Sequence, residues 1–204
     1  MYKIIKYLLD RLLALIGLLI LLPIFILLAI IIKIDSKGPI LFKQKRVGKN
    51  KKHFNILKFR TMRIDTPKDT PTHLLEDPKK WITRVGRFLR KTSLDELPQI
   101  INILKGDMSI VGPRPALWNQ EDLIKERDKY KANDVYPGLT GYAQIKGRDE
   151  LAIIDKAKLD GYYIEHFGLW IDIKVFFGTI ISVFKSDGVV EGKKEINDSK
   201  KVDE

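Results

Sequence analysis

Two adjacent carboxylates, Asp95 and Glu96, are the residues of this sequence best suited to chemistry. Pro98 follows them and is well tolerated in the first turn of a helix, so the pair is predicted at or just before a helix N-terminus. The helix dipole favours the ionised form of an acid there. An ionised aspartate can attack phosphorus, and a glutamate can hold a hard divalent cation. The alternative is structural, because Ser93 and Glu96 also have the spacing of a capping box.

Basic residues surround this pair in the sequence. They are Arg84, Arg87, Arg90 and Lys91 before it and Lys105 after it. Lys58 and Arg60 lie in a predicted strand, where their charges suit either a substrate phosphate or lipid head groups. A carboxylate pair in basic surroundings indicates chemistry on a phosphorylated, metal-bound substrate.

An arginine between two prolines is the next candidate for a phosphate contact. Pro113 and Pro115 restrict the backbone on both sides of Arg114, whose planar guanidinium suits phosphate. A structural turn with a surface arginine is the alternative. Arg148 lies at the end of a glycine-rich segment, residues 136–148, in which the glycines would allow a ligand to approach the backbone closely. Arg148 is therefore a further candidate for a phosphate contact.

An uncharged apolar stretch at residues 12–32 is long enough to insert into a membrane. As a straight helix it would cover roughly 30 Å, the thickness of a hydrocarbon core. Pro23 lies in its middle and predicts a kink or break. Cations flank both ends, so both ends are expected on the cytoplasmic side. A re-entrant helix broken at Pro23 satisfies both flanks, and a single span with a mild kink is the alternative.

The predicted strands and helices that must position the candidate residues are short. Their order along the chain predicts a fold of the α+β class. The expected fold is an N-terminal re-entrant membrane helix followed by a mostly helical domain with a small β-hairpin or sheet and interfacial amphipathic helices. Strands are predicted at residues 40–48, 53–62 and 109–111, with a hairpin turn at 48–52. Helices are predicted at residues 81–89, 97–104, 121–131 and 151–163.

The last apolar segment, residues 167–184, contains two charges and predicts either a core helix or one lying in the membrane interface. The predicted domains are a membrane element at residues 1–37 and a catalytic domain at 38–188. Residues 189–204 are predicted to form a disordered polar tail.

Composition limits the classes of partner. The chain has 204 residues, a formal net charge of +11 and no cysteine, which excludes disulfides and thiolate metal sites. The charge indicates an anionic partner: nucleic acid, phospholipid head groups or a phosphorylated substrate. A membrane-tethered nucleic-acid-binding or scaffolding protein is the alternative function. That alternative does not explain the carboxylate pair, and no recognition motif is apparent, so no nucleic-acid partner is expected.

Seven segments, in this order, resemble the bacterial sugar transferase family, the small monotopic phosphoglycosyl transferases. They are KFRTM at 58–62, SLDELPQ at 93–99, KGDMS at 105–109, VGPRP at 111–115, PGLTG at 137–141, GR at 147–148 and DIK at 172–174. Two positions depart from the common family pattern: Leu22 precedes Pro23 where small members often have serine, and Asp149 follows Arg148 where many have asparagine.

The resemblance implies transfer of a sugar 1-phosphate from a UDP-sugar to polyprenyl (undecaprenyl) phosphate, with release of UMP. It implies that Asp95 is the nucleophile and forms an aspartyl phosphosugar, and that Glu96 binds Mg²⁺. Lys58 corresponds to an active-site lysine, residues 113–115 to the loop that meets the nucleotide, and Arg148 to a phosphate-binding arginine.

The same resemblance implies a place in the cell. The catalytic domain is expected on the cytosolic face of the bacterial cytoplasmic membrane, against anionic phospholipids. There it would carry out the first membrane step in the assembly of a capsule, O-antigen, exopolysaccharide or protein-linked glycan. The sequence leaves open the sugar, the pathway and any homo-oligomerisation.

Overall fold

A computed structural model describes residues 2–66, 77–147 and 151–185. Three predicted features lie outside the described residues: Arg148, Asp149 after it, and the polar tail at 189–204. The predicted domain boundaries stay predictions.

The first element is a single helix of 34 residues, α1 (Tyr2–Asp35), which continues through Pro23 without interruption. The helix is continuous at the predicted position of the kink, and both the kink at Pro23 and the re-entrant topology stay predictions. Among the described residues, one helix, α1, is long enough and apolar enough to cross a membrane. Most of its large apolar side chains are exposed, as expected of a helix surrounded by lipid.

Both halves of α1 nevertheless contact the rest of the fold. Near its start, Ala14 packs against α4 (Gln99–Lys105). Near its end, Leu28 and Ile32 pack against Phe59 and Leu89. The helix is thus attached to the domain at two separated places, with an exposed apolar stretch between them.

The predicted hairpin is confirmed. Strands β1 (Leu41–Val47) and β2 (His53–Phe59) pair antiparallel, with Leu41 opposite Phe59 and Val47 opposite His53. A 3₁₀ turn at Lys49–Lys51 joins them, and Asn50 adopts the left-handed conformation that tight turns often require.

The helix predicted at residues 81–89 is divided into α2 (Pro78–Trp81) and α3 (Arg84–Lys91). Between them, Ile82 forms a β-bridge with Met62. Thr83 then starts the second helix, because its Oγ1 accepts a hydrogen bond from Gly86 N at 2.9 Å. The bridge to Met62 and the cap formed by Thr83 together explain why the predicted helix is divided in two.

A second sheet has two parallel strands, β3 (Ser109–Val111) and β4 (Gly138–Thr140). The predicted strand at 109–111 is confirmed, whereas β4 falls in the glycine-rich segment. A Cβ on Gly138 would overlap the backbone of Gly112. Glycine at this position therefore permits two backbone segments to pack closely, rather than a backbone and a ligand as predicted.

Four helices complete the domain: α5 (Glu121–Asp128), α6 (Tyr142–Lys146), α7 (Ile153–Glu165) and α8 (Leu169–Lys185). One face of α8 is buried through Ile171 and Val175, which pack with Tyr163 and Tyr142. The other face exposes large apolar side chains. They are Leu169, Trp170, Phe176, Phe177, Ile180 and Ile181. Helix α8 therefore combines the two predicted alternatives, with a core face and an apolar face of the kind found in interfacial helices.

Candidate active site

Asp95 and Glu96 lie in a 3₁₀ turn, Leu94–Glu96, just before α4. The predicted position ahead of a helix is confirmed, since α4 begins at Gln99 directly after Pro98. The capping box is not formed: Ser93 is in the left-handed conformation with φ 57°, and its side chain makes no capping hydrogen bond. The structural alternative for this motif is therefore wrong.

Two cations from distant segments meet on Glu96. Lys58 Nζ lies 2.7 Å from Glu96 Oε1, and Arg114 Nη2 lies 2.8 Å from the same oxygen. Arg114 Nη1 is 3.4 Å from Oε2, so the arginine approaches with two nitrogens. Lys58 lies on β2 and Arg114 in the loop after β3, and the fold brings both to the turn that carries the acidic pair.

The two carboxylates differ electrostatically. Burial opposes ionisation of Glu96, but Arg114 and Lys58 outweigh it and hold the pKa of Glu96 below its usual range. Burial raises the pKa of Asp95, the charge of Glu96 adds to the effect, and Lys58 opposes it. Asp95 is buried, with only 8% of its surface exposed. Ionisation of Asp95 is thus disfavoured, contrary to the expectation from the helix dipole, because burial has the larger effect.

Arg60, although two residues from Lys58, lies at another place. It is 5% exposed, and its guanidinium binds the end of α1. Nη1 donates to Lys37 O at 2.6 Å, and Nη2 donates to Ser36 O at 2.6 Å and to Ile32 O at 3.3 Å. Ser36 and Lys37 lie just beyond the end of α1, and Ile32 O, in its last turn, also accepts a hydrogen bond from Ser36 N at 3.3 Å. The predicted substrate contact of Arg60 stays a prediction, and the structure gives its side chain a structural role.

The remaining predicted residues divide into two groups. Pro113 and Pro115 flank Arg114, whose side chain reaches Glu96, and all three residues line a small pocket next to Gly48, which follows β1. Arg148 is outside the described residues, and Pro23 lies within α1, among exposed apolar side chains.

Arg90 was not predicted as a site residue, and the sequence analysis included it only among the cations near the acidic pair. It lies in the last turn of α3, and its charge lowers the pKa of Asp95. Its Nε donates to Thr61 Oγ1 at 2.9 Å, which orients the guanidinium. The positive charge of Arg90 was visible in the sequence, but its orientation by Thr61 depends on the packing of α3 against the segment that follows β2.

The acidic pair is also the candidate metal centre. Among the described residues no group of three or more His, Asp or Glu side chains could hold an ion. Mg²⁺ is commonly held by one or two carboxylates together with substrate phosphates. Glu96 could form part of such a site only if a diphosphate supplied the remaining oxygens.

Comparison with known proteins gives the family. The family model described as "Bacterial sugar transferase" matches residues 1–186. The chain is 40% identical over 159 residues to "Uncharacterized sugar transferase EpsL" of Bacillus subtilis (strain 168), covering 78% of this chain and 77% of that protein.

Two longer relatives carry names that state a reaction. The chain is 40% identical over 183 residues to "UDP-glucose:undecaprenyl-phosphate glucose-1-phosphate transferase" of Escherichia coli (strain K12), covering 86% of this chain and 39% of the relative. It is 36% identical over 197 residues to "UDP-N-acetylgalactosamine-undecaprenyl-phosphate N-acetylgalactosaminephosphotransferase" of Aeromonas hydrophila. The match covers 92% of this chain and 45% of that relative. It thus spans less than half the length of these two proteins. With the family match over residues 1–186, the chain belongs to the bacterial sugar transferase family and is a transferase.

Proposed function

We propose that this chain transfers a sugar 1-phosphate from a UDP-sugar to undecaprenyl phosphate or a similar polyprenyl phosphate, with release of UMP. The observation that carries the proposal is the arrangement of Asp95 beside Glu96, with Lys58 and Arg114 held at 2.7 and 2.8 Å from the glutamate. The printed names of the two longer relatives support this substrate class.

The first half-reaction is a displacement at the sugar-bearing phosphorus. A carboxylate oxygen of Asp95 attacks that phosphorus and forms an aspartyl phosphosugar. The bond from phosphorus to the bridging oxygen of the diphosphate breaks, and the electron pair leaves with UMP. Burial leaves the Asp95 carboxylate poorly solvated, which raises its pKa and makes it reactive once it is ionised.

The second half-reaction restores the enzyme. A phosphate oxygen of polyprenyl phosphate attacks the same phosphorus, and the bond to Asp95 breaks, leaving a free carboxylate and a polyprenyl diphosphosugar. One site can therefore serve a soluble donor and a lipid acceptor in turn, which predicts ping-pong kinetics.

Lys58 and Arg114 are the candidates for binding the diphosphate. Glu96 holds both cations in place and keeps them beside Asp95. Charge-assisted hydrogen bonds from these cations to phosphoryl oxygens would stabilise the transferring group. Glu96, together with the diphosphate oxygens, would hold Mg²⁺, which when bound offsets the negative charge of the substrate.

The attachment of α1 supports a re-entrant placement on the membrane. Lys6 and Asp10, near its start, are buried against the domain, and so are Leu28 and Ile32, near its end. A straight crossing of a hydrocarbon core of roughly 30 Å would separate the two ends by the whole bilayer. Because both ends contact one domain, we infer that this domain and both ends lie on the cytosolic side and that the middle of α1 enters the lipid.

The exposed apolar face of α8 supports the same placement. Trp170, Phe176 and Phe177 on that face are suited to the head-group region, where aromatic residues are enriched. The net charge of +11 favours anionic phospholipids at the same surface. The lipid acceptor and the acidic pair would then meet at one membrane surface.

The experiment is release of UMP from a panel of UDP-sugars with undecaprenyl phosphate, using the full chain in detergent or lipid nanodiscs. Wild-type enzyme should turn over at least one donor, and Asp95→Asn should reduce turnover to background. Asp155→Asn, a change at an exposed aspartate of α7, is the matched control and should leave turnover within about twofold.

Mass spectrometry of the enzyme with donor alone tests the intermediate. A sugar-phosphate adduct should appear on the peptide that contains Asp95. An adduct on another residue, or kinetics that require a ternary complex, would contradict the proposed mechanism.

A further inference from the structure

The loop that carries Arg114 is held by its backbone carbonyls. Three consecutive carbonyls each accept a hydrogen bond from a different element of the fold. The donors are Gly138 N to Pro113 O at 2.9 Å, Arg127 Nη1 to Arg114 O at 2.9 Å and Arg46 Nη1 to Pro115 O at 3.1 Å. Strand β4, helix α5 and strand β1 thus fix the backbone from which the Arg114 side chain extends to Glu96.

Arg127 is the unusual member of this set, because its charge is buried. The residue is 3% exposed, and the rest of its guanidinium is directed at Asp160 on α7, which is 1% exposed. Nε and Nη2 of Arg127 lie 2.8 and 2.6 Å from Asp160 Oδ2. This leaves Nη1 pointing to the carbonyl of Arg114.

Stability alone does not account for such a pair. Burying two charges has a large desolvation cost, and replacing a buried ion pair with apolar residues is often neutral or stabilising. A buried pair that also binds the backbone of an active-site loop can serve to fix geometry. A displacement of about 1 Å at a reacting group can lower the rate about 100-fold.

We propose that Arg127, oriented by Asp160, is a positioning residue that fixes the direction of Arg114 toward Glu96 and the diphosphate. The inference rests on the proposed function, because it concerns the geometry of the same site. It adds a layer of residues on α5 and α7 that do not contact the substrate but determine where a substrate-binding arginine lies.

The test uses a variant that removes both charges. Arg127→Met alone would leave Asp160 buried without its partner and could prevent folding. The double variant Arg127→Met/Asp160→Leu removes the uncompensated charge as well, so it should fold and melt close to wild type, while Arg114 O loses its donor. We expect kcat/KM for the UDP-sugar to fall about 10- to 100-fold.

A double-mutant cycle separates positioning from a general effect on the fold. In an Arg114→Ala background, the same double variant should lower kcat/KM by less than about twofold, because the group that it positions is already absent. Arg127→Lys is the second variant: it keeps a charge for Asp160 but lacks the planar fork, so it should show the same background dependence. Arg63→Met, at an exposed arginine, is the control and should leave kcat/KM unchanged.

Two outcomes would overturn the inference. An equal fall in kcat/KM with and without Arg114 would mean that the pair acts on the fold as a whole. Wild-type kcat/KM in both Arg127 variants would mean that the loop is fixed without this contact. If the double variant does not fold, the cycle with Arg127→Lys decides. Absence of UMP release by the wild type would instead contradict the proposed function.

Discussion

The ammonium group of Lys6 on α1 lies 2.7 Å from a carboxylate oxygen of Asp172 on α8. The carboxylate also accepts hydrogen bonds from Tyr2 at 2.6 Å and from Tyr163 at 2.8 Å. Asp10, one turn after Lys6, binds Ser109 of β3. The first turns of the apolar helix are therefore part of the packed domain, and the sequence motif DIK at 172–174 serves in part to attach them.

Lys6→Met should destabilise the protein strongly. The side chain of Lys6 is 3% exposed, and its removal leaves Asp10 and Asp172 buried without their cation. Breaking a buried pair in this way costs about 3–5 kcal/mol. Thermal unfolding should show a melting temperature about 10 °C lower. Lys3→Met, at an exposed position of the same helix, is the control, and equal melting of the two variants would show that the buried pair contributes nothing.

Asp95→Asn should abolish turnover without loss of stability. Burial raises the pKa of Asp95, so its ionised form disfavours the folded state. This unfavourable contribution is absent at low pH, appears as the pH rises above 3.8, the ordinary value, and is complete above the folded pKa. The variant should therefore melt at or above the wild-type temperature at pH 8, with a smaller difference at pH 4. A lower melting temperature at pH 8 would contradict the burial of an ionisable nucleophile.

Glu96→Gln should show the opposite pH dependence. Arg114 and Lys58 outweigh burial and lower the pKa of Glu96, so its charge stabilises the fold fully above pH 4.5, its ordinary value. This contribution begins to decrease below that value and is lost only as the pH falls through the much lower folded pKa. Urea unfolding should give the variant a free energy of unfolding about 1–3 kcal/mol smaller at pH 7 and a smaller deficit at pH 4. Glu121→Gln, at an exposed pair, should change little at either pH. A deficit that is the same at both pH values would exclude this electrostatic explanation.

Gly86→Ala should be destabilising although alanine favours helices. A Cβ at Gly86 would overlap the carbonyl of Thr61, so α3 would have to move away from the segment that follows β2. Overpacking of this kind costs about 1–3 kcal/mol. The same shift would move Arg90, which Thr61 orients, so kcat/KM should fall as well.

Gly17→Ala provides the matched control, because nothing lies within 4 Å of a Cβ at that position of α1. It should be neutral or stabilise the protein by up to about 1 kcal/mol. Similar melting temperatures for the two alanine variants would mean that the contact between α3 and Thr61 is not tight.

Local patterns in the sequence were sufficient for several features. The alternation of apolar and polar residues predicted the hairpin of β1 and β2, since the period of two is a property of the strand itself. The uncharged stretch at residues 12–32 predicted a membrane-inserting helix, because length and hydropathy need no partner. The acidic pair was identified because adjacent carboxylates among cations are recognisable without a fold.

The tertiary structure decided which charges meet and which are buried. Lys58 and Arg60 look equivalent in the sequence, yet one reaches Glu96 and the other the end of α1. The helix dipole predicted ready ionisation of Asp95, and burial by distant segments gave the opposite direction. Arg127 is one of several charged residues in α5, and its buried ion pair with Asp160 depends on the packing of α7. Periodicity and composition describe neighbours along the chain, whereas desolvation and ion pairing depend on segments that only folding brings together.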